Sequence, residues 1–393
     1  MRLVLYTGKG GVGKTTTAAA AAVVAAERGL RTLVASADVA HSLGDVLDVR
    51  LGPEPRRLAP GLFGLEIDPR VESARHWGRI QRFLERTFRH QGIEAAVAEE
   101  LAMLPGAEEL TTLLAVEDFA ASGDFDLLVL DCAPTDAALR LVTLPEVASG
   151  MVRLALQLAG AFSGLALPLA KRLVAAPLPE PEVFAEAEAL LYRNLTALRA
   201  RLSSPKTTVR LVVTPERMVI DEARRAHTEL ALFEVACDAV IANRVLPDRA
   251  LREPFFADWG RVQAERLAEL ETLFSPLPVL CAPLQDDEVI GLPRLAAHGR
   301  ALFADAPPDA VLSRAESVRF GRERGAYWVR VPMPGVDPER LDVAMIDGEL
   351  VISTPTRRRK LTLPRRFAPL ALRAARVDGG ALHVRFEREA KAV

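Results

Sequence analysis

Cysteine, tryptophan, tyrosine and methionine are all scarce in this 393-residue chain, with three Cys, three Trp, three Tyr and six Met. Cys132, Cys237 and Cys281 lie far apart and form no CxxC pair. That spacing supports neither a zinc knuckle nor a disulfide framework, and three small buried hydrophobes are expected instead. So few methionines argue against an adaptable Met-lined groove. No uncharged run reaches the ~20 residues of a membrane-spanning helix. The longest, LALQLAGAFSGLALPLA at 154–170, has 17 residues and includes Gln, two Gly and a Pro. The opening MRLVLYTGKGG runs straight into a strand and a loop, leaving no room for a signal peptide. A soluble cytoplasmic protein is expected, with a peripheral place at a membrane left open.

An excess of either charge is also lacking overall. The formal net charge is −2, so nucleic acid is not an expected partner. The balance is uneven, however: residues 326–393 carry 13 Lys/Arg against 8 Asp/Glu, which leaves −7 for residues 1–325. Half of the chain is hydrophobic, and its length allows two or three domains with a large core.

What the chain does have is glycine concentrated in one place. RLVLYT (2–7) is an apolar strand-like run, GKGGVGKTTT follows at 8–17, and the alanine-rich TTTAAAAAVVAAERG favours helix up to a stop at Gly29. RTLVASAD (31–38) is the next strand. The pattern G-x4-G-K-T is met by Gly8, Gly13, Lys14 and Thr15 inside the strand–loop–helix–strand context that a phosphate-binding loop requires. Backbone N–H groups of Gly8, Lys9, Gly10, Gly11, Val12, Gly13 and on to Thr16 can turn inward on phosphate oxygens. Lys14 can then span the β- and γ-phosphates of ATP while the Thr15 hydroxyl ligates Mg²⁺. Lys9 is one lysine more than such a loop needs. Delivered in trans, a cation there would stabilise charge on the transferring phosphoryl group only when two subunits close. A solvated loop lysine is the plainer alternative.

Two carboxylates follow at strand ends. Asp38 closes the second strand and faces the crevice where α/β sheets bind ligands. From there it could orient the attacking water or hold Mg²⁺ through water; an ordinary helix N-cap is the alternative. FDLLVLD (125–131) places Asp131 at the end of a buried strand, a Walker B arrangement near the metal.

The loop K-G-G-V-G-K-T resembles the deviant Walker A of the MinD/ParA, nitrogenase iron-protein and arsenite-pump ATPase class. D-V-A-H-S (38–42) and D-C-A-P-T (131–135) are similar to the switch segments of one branch, the ArsA and tail-anchored-protein targeting ATPases. VRLVVTPE (209–216) and DAVIANRVLP (238–247) put Glu216 and Asn243 where this branch has a nucleotide-contacting acid and an adenine-reading asparagine. APLQDDEVIG (282–291) looks like its base-covering loop, with Pro283 and Leu284 as contacts. The resemblance spans residues 1 to about 305. It implies an α/β P-loop NTPase fold with a mostly parallel sheet, helices on both faces and a helical insert at about 71–120 and 146–204. It also implies ATP hydrolysis with Mg²⁺ held by Thr15, Asp38 and Asp131, catalysis by Asp38, Lys14 and Lys9, and a homodimer. A hydrophobic polypeptide client and a membrane receptor are the partners this branch suggests. Arsenite transport and a MinD/ParA-like scaffold are the alternatives, and soft arsenic(III) would want thiolates that stand far apart here.

In the insert, Met151, Leu154, Leu158, Phe162, Leu165, Leu169 and Leu173 recur at helical steps, as a client groove or as core packing. PGAEEL (105–110) is similar to an element of the family's insert. Residues 306–325 are polar and proline-punctuated, a linker. Beyond it the period becomes two, with turns at Asp347-Gly348 and at 378–380, which indicates a β-sandwich over 326–393. VPMPGVD, DGELVIS and ARVDGGALHVRFE resemble the α-crystallin domain of small heat-shock proteins. The basic run RRRK (357–360) is expected on a hairpin, either solvated or docked on the acidic ATPase part.

Overall fold

A computed structural model describes residues 1–38, 42–90, 92–95, 107–132, 194–304, 306–314, 316–323 and 326–388. Several expectations lie outside the described residues: Val39 to His41, Ala133 to Arg140, Leu144-Pro145, the apolar stripe from Met151 to Leu173, and Pro105-Gly106.

Eight short strands build one sheet: β1 (Arg2–Thr7), β2 (Thr32–Ser36), β3 (Arg56–Ala59), β4 (Leu62–Glu66), β5 (Leu127–Asp131), β6 (Thr207–Val213), β7 (Cys237–Val245) and β8 (Val279–Pro283). Their order is β3-β4-β2-β5-β1-β6-β7-β8, and every pairing is parallel except β3 with β4. Strands β2, β5 and β6 are buried along their whole length, as expected where helices cover both faces. The chain leaves β1 for β2 on one side and returns past it to β6 on the other, so the sheet reverses direction at β1. Open α/β sheets bind ligands beyond the carboxyl ends of such strands.

Around the sheet lie α1 (Lys14–Glu27), α2 (Ser42–Leu47), α3 (Pro69–His90), α4 (Ala107–Ser122), α5 (Leu195–Leu202), α6 (Arg217–Leu232), α7 (Asp248–Leu251), α8 (Ala257–Phe274) and α9 (Leu292–Phe303). Ala18 to Ala22 are all buried, so α1 is apolar all round and sits inside the protein. Small side chains let α9 come close: a Cβ on Gly299 would lie 2.7 Å from the Ala20 carbonyl oxygen. In the helical insert α3 packs on α4, and Arg201 of α5 reaches Glu117 of α4 at 2.9 Å.

One cation lies where an apolar residue would be expected. Arg210, in the middle of β6, is fully buried and pairs with the buried Asp238 of β7 at 3.2 Å. Its guanidinium also donates to Tyr6 Oη at 3.0 Å and to the Pro308 and Ala310 carbonyls at 2.8 and 3.0 Å. Arg2 reaches the second Asp238 oxygen at 3.0 Å and the Asp309 carbonyl at 3.1 Å. Two guanidiniums thus share one carboxylate, and backbone carbonyls from 308–310 are among the further acceptors of both. This fastens the segment after α9 to the lower end of the sheet.

The C-terminal region is all β: β9 (Arg319–Glu323), β10 (Ala326–Pro332), β11 (Asp342–Ile346), β12 (Glu349–Ser353), β13 (Arg358–Leu361), β14 (Leu370–Asp378) and β15 (Ala381–Arg388). They form antiparallel sheets β14-β15-β10-β9 and β11-β12-β13. Val329, Val331, Leu350, Ile352 and Phe386 fill the space between them around Phe367, whose ring meets Phe320, Tyr327 and Phe386 edge-on. Asp347-Gly348 and Gly379-Gly380 are left-handed pairs, as two-residue hairpin turns demand. This sandwich docks on α6. Arg359, nearly fully buried, donates to the Leu232 carbonyl at the helix end and reaches Glu234 at 2.7 Å. Arg357 pairs with Glu229 at 3.3 Å, and the Thr228 hydroxyl donates to the Pro334 carbonyl at 2.5 Å. Within RRRK, then, Arg357 and Arg359 dock on the ATPase part, whereas Arg358 and Lys360 are exposed.

Replacing Arg210 by Ala leaves one oxygen of Asp238 and the Pro308 carbonyl buried without their donor, while Arg2 stays on the other Asp238 oxygen. We expect a loss of ~3–5 kcal/mol in chemical denaturation, as for other broken buried pairs. Protease cleavage within 306–314 should accelerate in parallel; an unchanged denaturation midpoint would contradict the assigned role.

Candidate functional site

The glycine loop follows β1 and is held from two sides. A Cβ on Gly8 would lie 2.1 Å from the Val212 carbonyl oxygen of β6, so only glycine fits between the two strands. Gly13 has φ 89°, a left-handed value, and a Cβ there would lie 2.3 Å from Asn243 Nδ2. Asn243, buried near the end of β7, donates that amide to the Val12 carbonyl at 2.8 Å. The structure thus places Asn243 as a brace of the loop, with its carbonyl oxygen and second N–H beyond that bond. Gly10 and Gly11 form the exposed crest.

Lys14 opens α1, and its buried ammonium donates to the Lys9 carbonyl at 3.3 Å, curling the loop over its own side chain. Lys9 itself is half-buried, next to the exposed crest. Among the described residues its ammonium has no hydrogen bond or ion pair. The Thr15 hydroxyl lies 3.2 Å from Ser42 Oγ at the start of α2, and Thr16, beside it, is half-buried.

Strand β5 runs between β1 and β2, pairing Asp131 with Tyr6 on one side and Ser36 on the other. Asp131 is therefore in the same row as the ends of the loop strand and the switch strand. It is fully buried, and neither carboxylate oxygen has a hydrogen-bond partner. Burial pushes its pKa up to about 7, with the Thr15 hydroxyl and Lys14 pulling it down and the Asp38 charge pushing it up. Asp38 is half-buried just past β2, its N–H donating to Ser36 Oγ at 3.2 Å. The two carboxylates, Lys14 and Thr15 so converge at the carboxyl edge of three adjacent strands.

The remaining expected residues stand along the same edge. Glu216 is exposed at the N-cap of α6 and accepts from the Thr214 hydroxyl at 2.9 Å. Pro283 ends β8, and Leu284, 41% exposed, donates its N–H to the Val245 carbonyl at 2.8 Å. Sequence reasoning missed Ser36, which touches the site through a single hydroxyl and carries no pattern of its own, and it quoted Ser42 within D-V-A-H-S without giving it a role. Val212 was equally invisible, because it acts through its carbonyl.

These residues fit a nucleotide with magnesium on the structure's own terms. Gly8 and Gly13 sit where any side chain would collide, so the loop backbone is free to wrap a phosphate. Asp131 is a buried carboxylate without a partner, which a divalent cation would satisfy directly or through water. Thiolate chemistry fits poorly. Cys132 lies at the carboxyl end of β5 and Cys237 at the start of β7, three strands or ~14 Å across the sheet and at opposite ends. Burial pushes both thiols above their ordinary range, whereas Cys281, expected to be buried like them, is exposed on the edge strand β8.

Residues 1–304 match the family described as anion-transporting ATPase, and residues 324–386 match the HSP20-like domain found in ArsA. Over 390 residues the chain is 35% identical to a protein of Aquifex aeolicus (strain VF5) that bears the provisional name arsenical pump-driving ATPase 1, covering 96% of this chain and 98% of that one. A similarly named protein of Chlorobaculum tepidum is 35% identical over 393 residues, covering 99% of this chain and 96% of its own length. ATPase ASNA1 homolog 1 of Paramecium tetraurelia is 27% identical over 300 residues, covering 74% of this chain and 89% of its own. With residues 1–304 matched by the family model and the appended sandwich by its own, the chain belongs to the anion-transporting ATPase (ArsA) family.

Proposed function

We propose that this ATPase is a dimeric switch, in which closure of two copies over ATP is coupled to binding or delivery of a hydrophobic polypeptide segment. The observation that carries the dimer is Lys9: its carbonyl holds Lys14 within the loop, while its ammonium takes no partner among the described residues. A cation carried on a phosphate cradle without a local task is suited to a neighbour's nucleotide, where it acts as an arginine finger does.

Within one copy, the loop amides from Gly8 to Thr16 hold the phosphates, Lys14 bridges the β- and γ-phosphates, and Thr15 with Asp131 sets the metal shell. Magnesium held by Thr15 and Asp131 would supply charge neutralisation to the phosphates. Asp38 orients the attacking water and accepts its hydrogen bond. Glu216, Asn243, Pro283 and Leu284 frame the nucleoside end, Asn243 through the carbonyl oxygen that its bond to Val12 leaves over. The polypeptide client rests on the likeness to the tail-anchored targeting ATPases. It is favoured over arsenite by the separation and burial of Cys132 and Cys237. Among the described residues no helix is long and apolar enough to cross a membrane. A membrane receptor is therefore the partner that would bring this chain to a bilayer.

Three outcomes test this reading. Asp38→Asn should retain ATP binding in equilibrium dialysis yet lose turnover by roughly 100-fold or more, the range of a lost catalytic base; equal turnover would remove Asp38 from the mechanism. Lys9→Ala should bind ATP as one copy does but fail to form the ATP-dependent dimer in analytical ultracentrifugation, with turnover falling alongside. A monomer that hydrolyses at the wild-type rate under saturating ATP and magnesium would end the dimer reading. The third concerns Asp131. Its folded pKa of about 7 exceeds the ordinary 3.8, so the nucleotide-free protein loses stability as pH rises from about 4 to about 7. Asp131→Asn should therefore melt higher than the parent at pH above about 7, with the gap closing toward pH about 4, and should lose stabilisation by magnesium with nucleotide. An unchanged melting profile would show that the carboxylate carries no such burden.

A further inference from the structure

The sandwich presents an arrangement that neither the family nor the ATPase site accounts for. In sheet β14-β15-β10-β9, Val329, Val331, Leu382, Val384 and Phe386 point into the core, so the residues between them face outward. The register aligns Arg319 with Arg330, Arg330 with His383, and His383 with Arg376. Four basic side chains thus stand in one line across four strands, a span of ~14 Å. Like charges directly opposite one another weaken a sheet, so folding alone does not favour such a row. Among the described residues only Arg330 has an acidic partner, Glu316 at 2.5 Å; Arg319, His383 and Arg376 have no hydrogen bond or ion pair.

The next row adds Arg385 beside Trp328, whose indole lies flat on the strand opposite: a Cβ on Gly321 would be 2.1 Å from Trp328 Cζ2. Glu387 balances this row by pairing with Arg385 at 2.7 Å and approaching Arg373 at 4.0 Å. Glu323 and Asp378 stand at the ends of the face. The first row therefore keeps the unbalanced charge. Arg330 also lines a cavity of about 190 Å³ between the sandwich and the ATPase domain, together with His227, Arg314 and Glu234. Glu234 is engaged by Arg359, while Arg314 takes no partner among the described residues. A wider groove of about 640 Å³ continues from Arg314 and Glu316 past Ser203 and Ser204.

We propose that this row and the adjoining interdomain groove bind an extended acidic segment of a polypeptide. The charge is complementary and so is the scale. A strand-like peptide presents alternate carboxylates ~7 Å apart, so three fit the width of the row. A nucleic acid fits less well, because its uniform negative charge continues beyond the row, and residues 1–325 together carry a net −7. A bilayer fits less well too, since His227 and Ser275 of the ATPase part and Arg314 of the linker line the cavity with Arg330 and Pro332 and interrupt a planar approach.

The test uses the full chain and fluorescein-labelled poly-L-glutamate of about 20 residues, followed by anisotropy in roughly 0.15 M salt. Wild type should bind, and the pair Arg319→Glu with Arg376→Glu should weaken binding on the order of 10-fold or more while ATP turnover is unchanged. Arg358→Glu with Lys360→Glu, an exposed basic pair on the other sheet, should bind as wild type does. All four side chains are solvent-facing, and circular dichroism confirms the fold of each variant; should the Glu pair not fold, Arg319→Gln with Arg376→Gln replaces it with the same expected direction. Absence of binding, equal loss in both variant pairs, or no loss in the Arg319/Arg376 pair overturns the proposal. So does tighter, row-dependent binding of oligo(dT) or of phosphatidylserine vesicles, which would assign the row to a different class of partner.

Discussion

Everything at the carboxyl edge of this sheet depends on β5 lying between β1 and β2. That placement puts Asp131 one strand from the phosphate loop and one strand from Asp38, where no loop could hold it with comparable precision. The carboxylate is buried without a hydrogen bond, a position that an isolated domain would not favour. Burial raises its pKa, and the cationic end of Lys14 and the Thr15 hydroxyl only partly oppose the rise. A functional site here carries a local instability that a bound cation relieves. The rest of the domain supplies the rigidity that makes this tolerable: an alanine helix packed on all sides, and strands buried on both faces.

A second polar cluster, at the opposite end of the sheet, has a different role. Arg210 and Arg2 share Asp238 and reach into the segment after α9. Its value lies in specificity of connection rather than in net energy, since buried pairs seldom outperform apolar packing. Because 308–310 are fastened there, the start of the sandwich is fixed relative to the sheet, and Arg359 can meet the end of α6.

Much of this was legible in the sequence, and the reasons differ by element. Gly8, Gly13, Lys14 and Thr15 act through backbone conformation and spacing, which sequence records directly. The sandwich was legible through its period of two and through Asp347-Gly348, whose left-handed conformations only a few residues accept. Arg210 was not, because an arginine within a strand reads as an outward side chain unless its partners 28 and about 100 residues away are known. RRRK was ambiguous for the same reason: alternation predicts that Arg359 and Arg358 face opposite ways, but not which of them meets a helix end. Asn243 was noticed for its amide, yet its contact with Val12 depends on the distance between β7 and the loop, which is a tertiary quantity.

Helix α6 has one more implication. It starts at Arg217, a few residues after the strand whose Val212 carbonyl lies against Gly8, and it finishes beneath Arg359 and Pro334. Its 16 residues make a stiff rod of ~24 Å. A tilt begun by the phosphate loop would travel along that lever to the C-terminal sandwich, and a load placed on the sandwich would travel back.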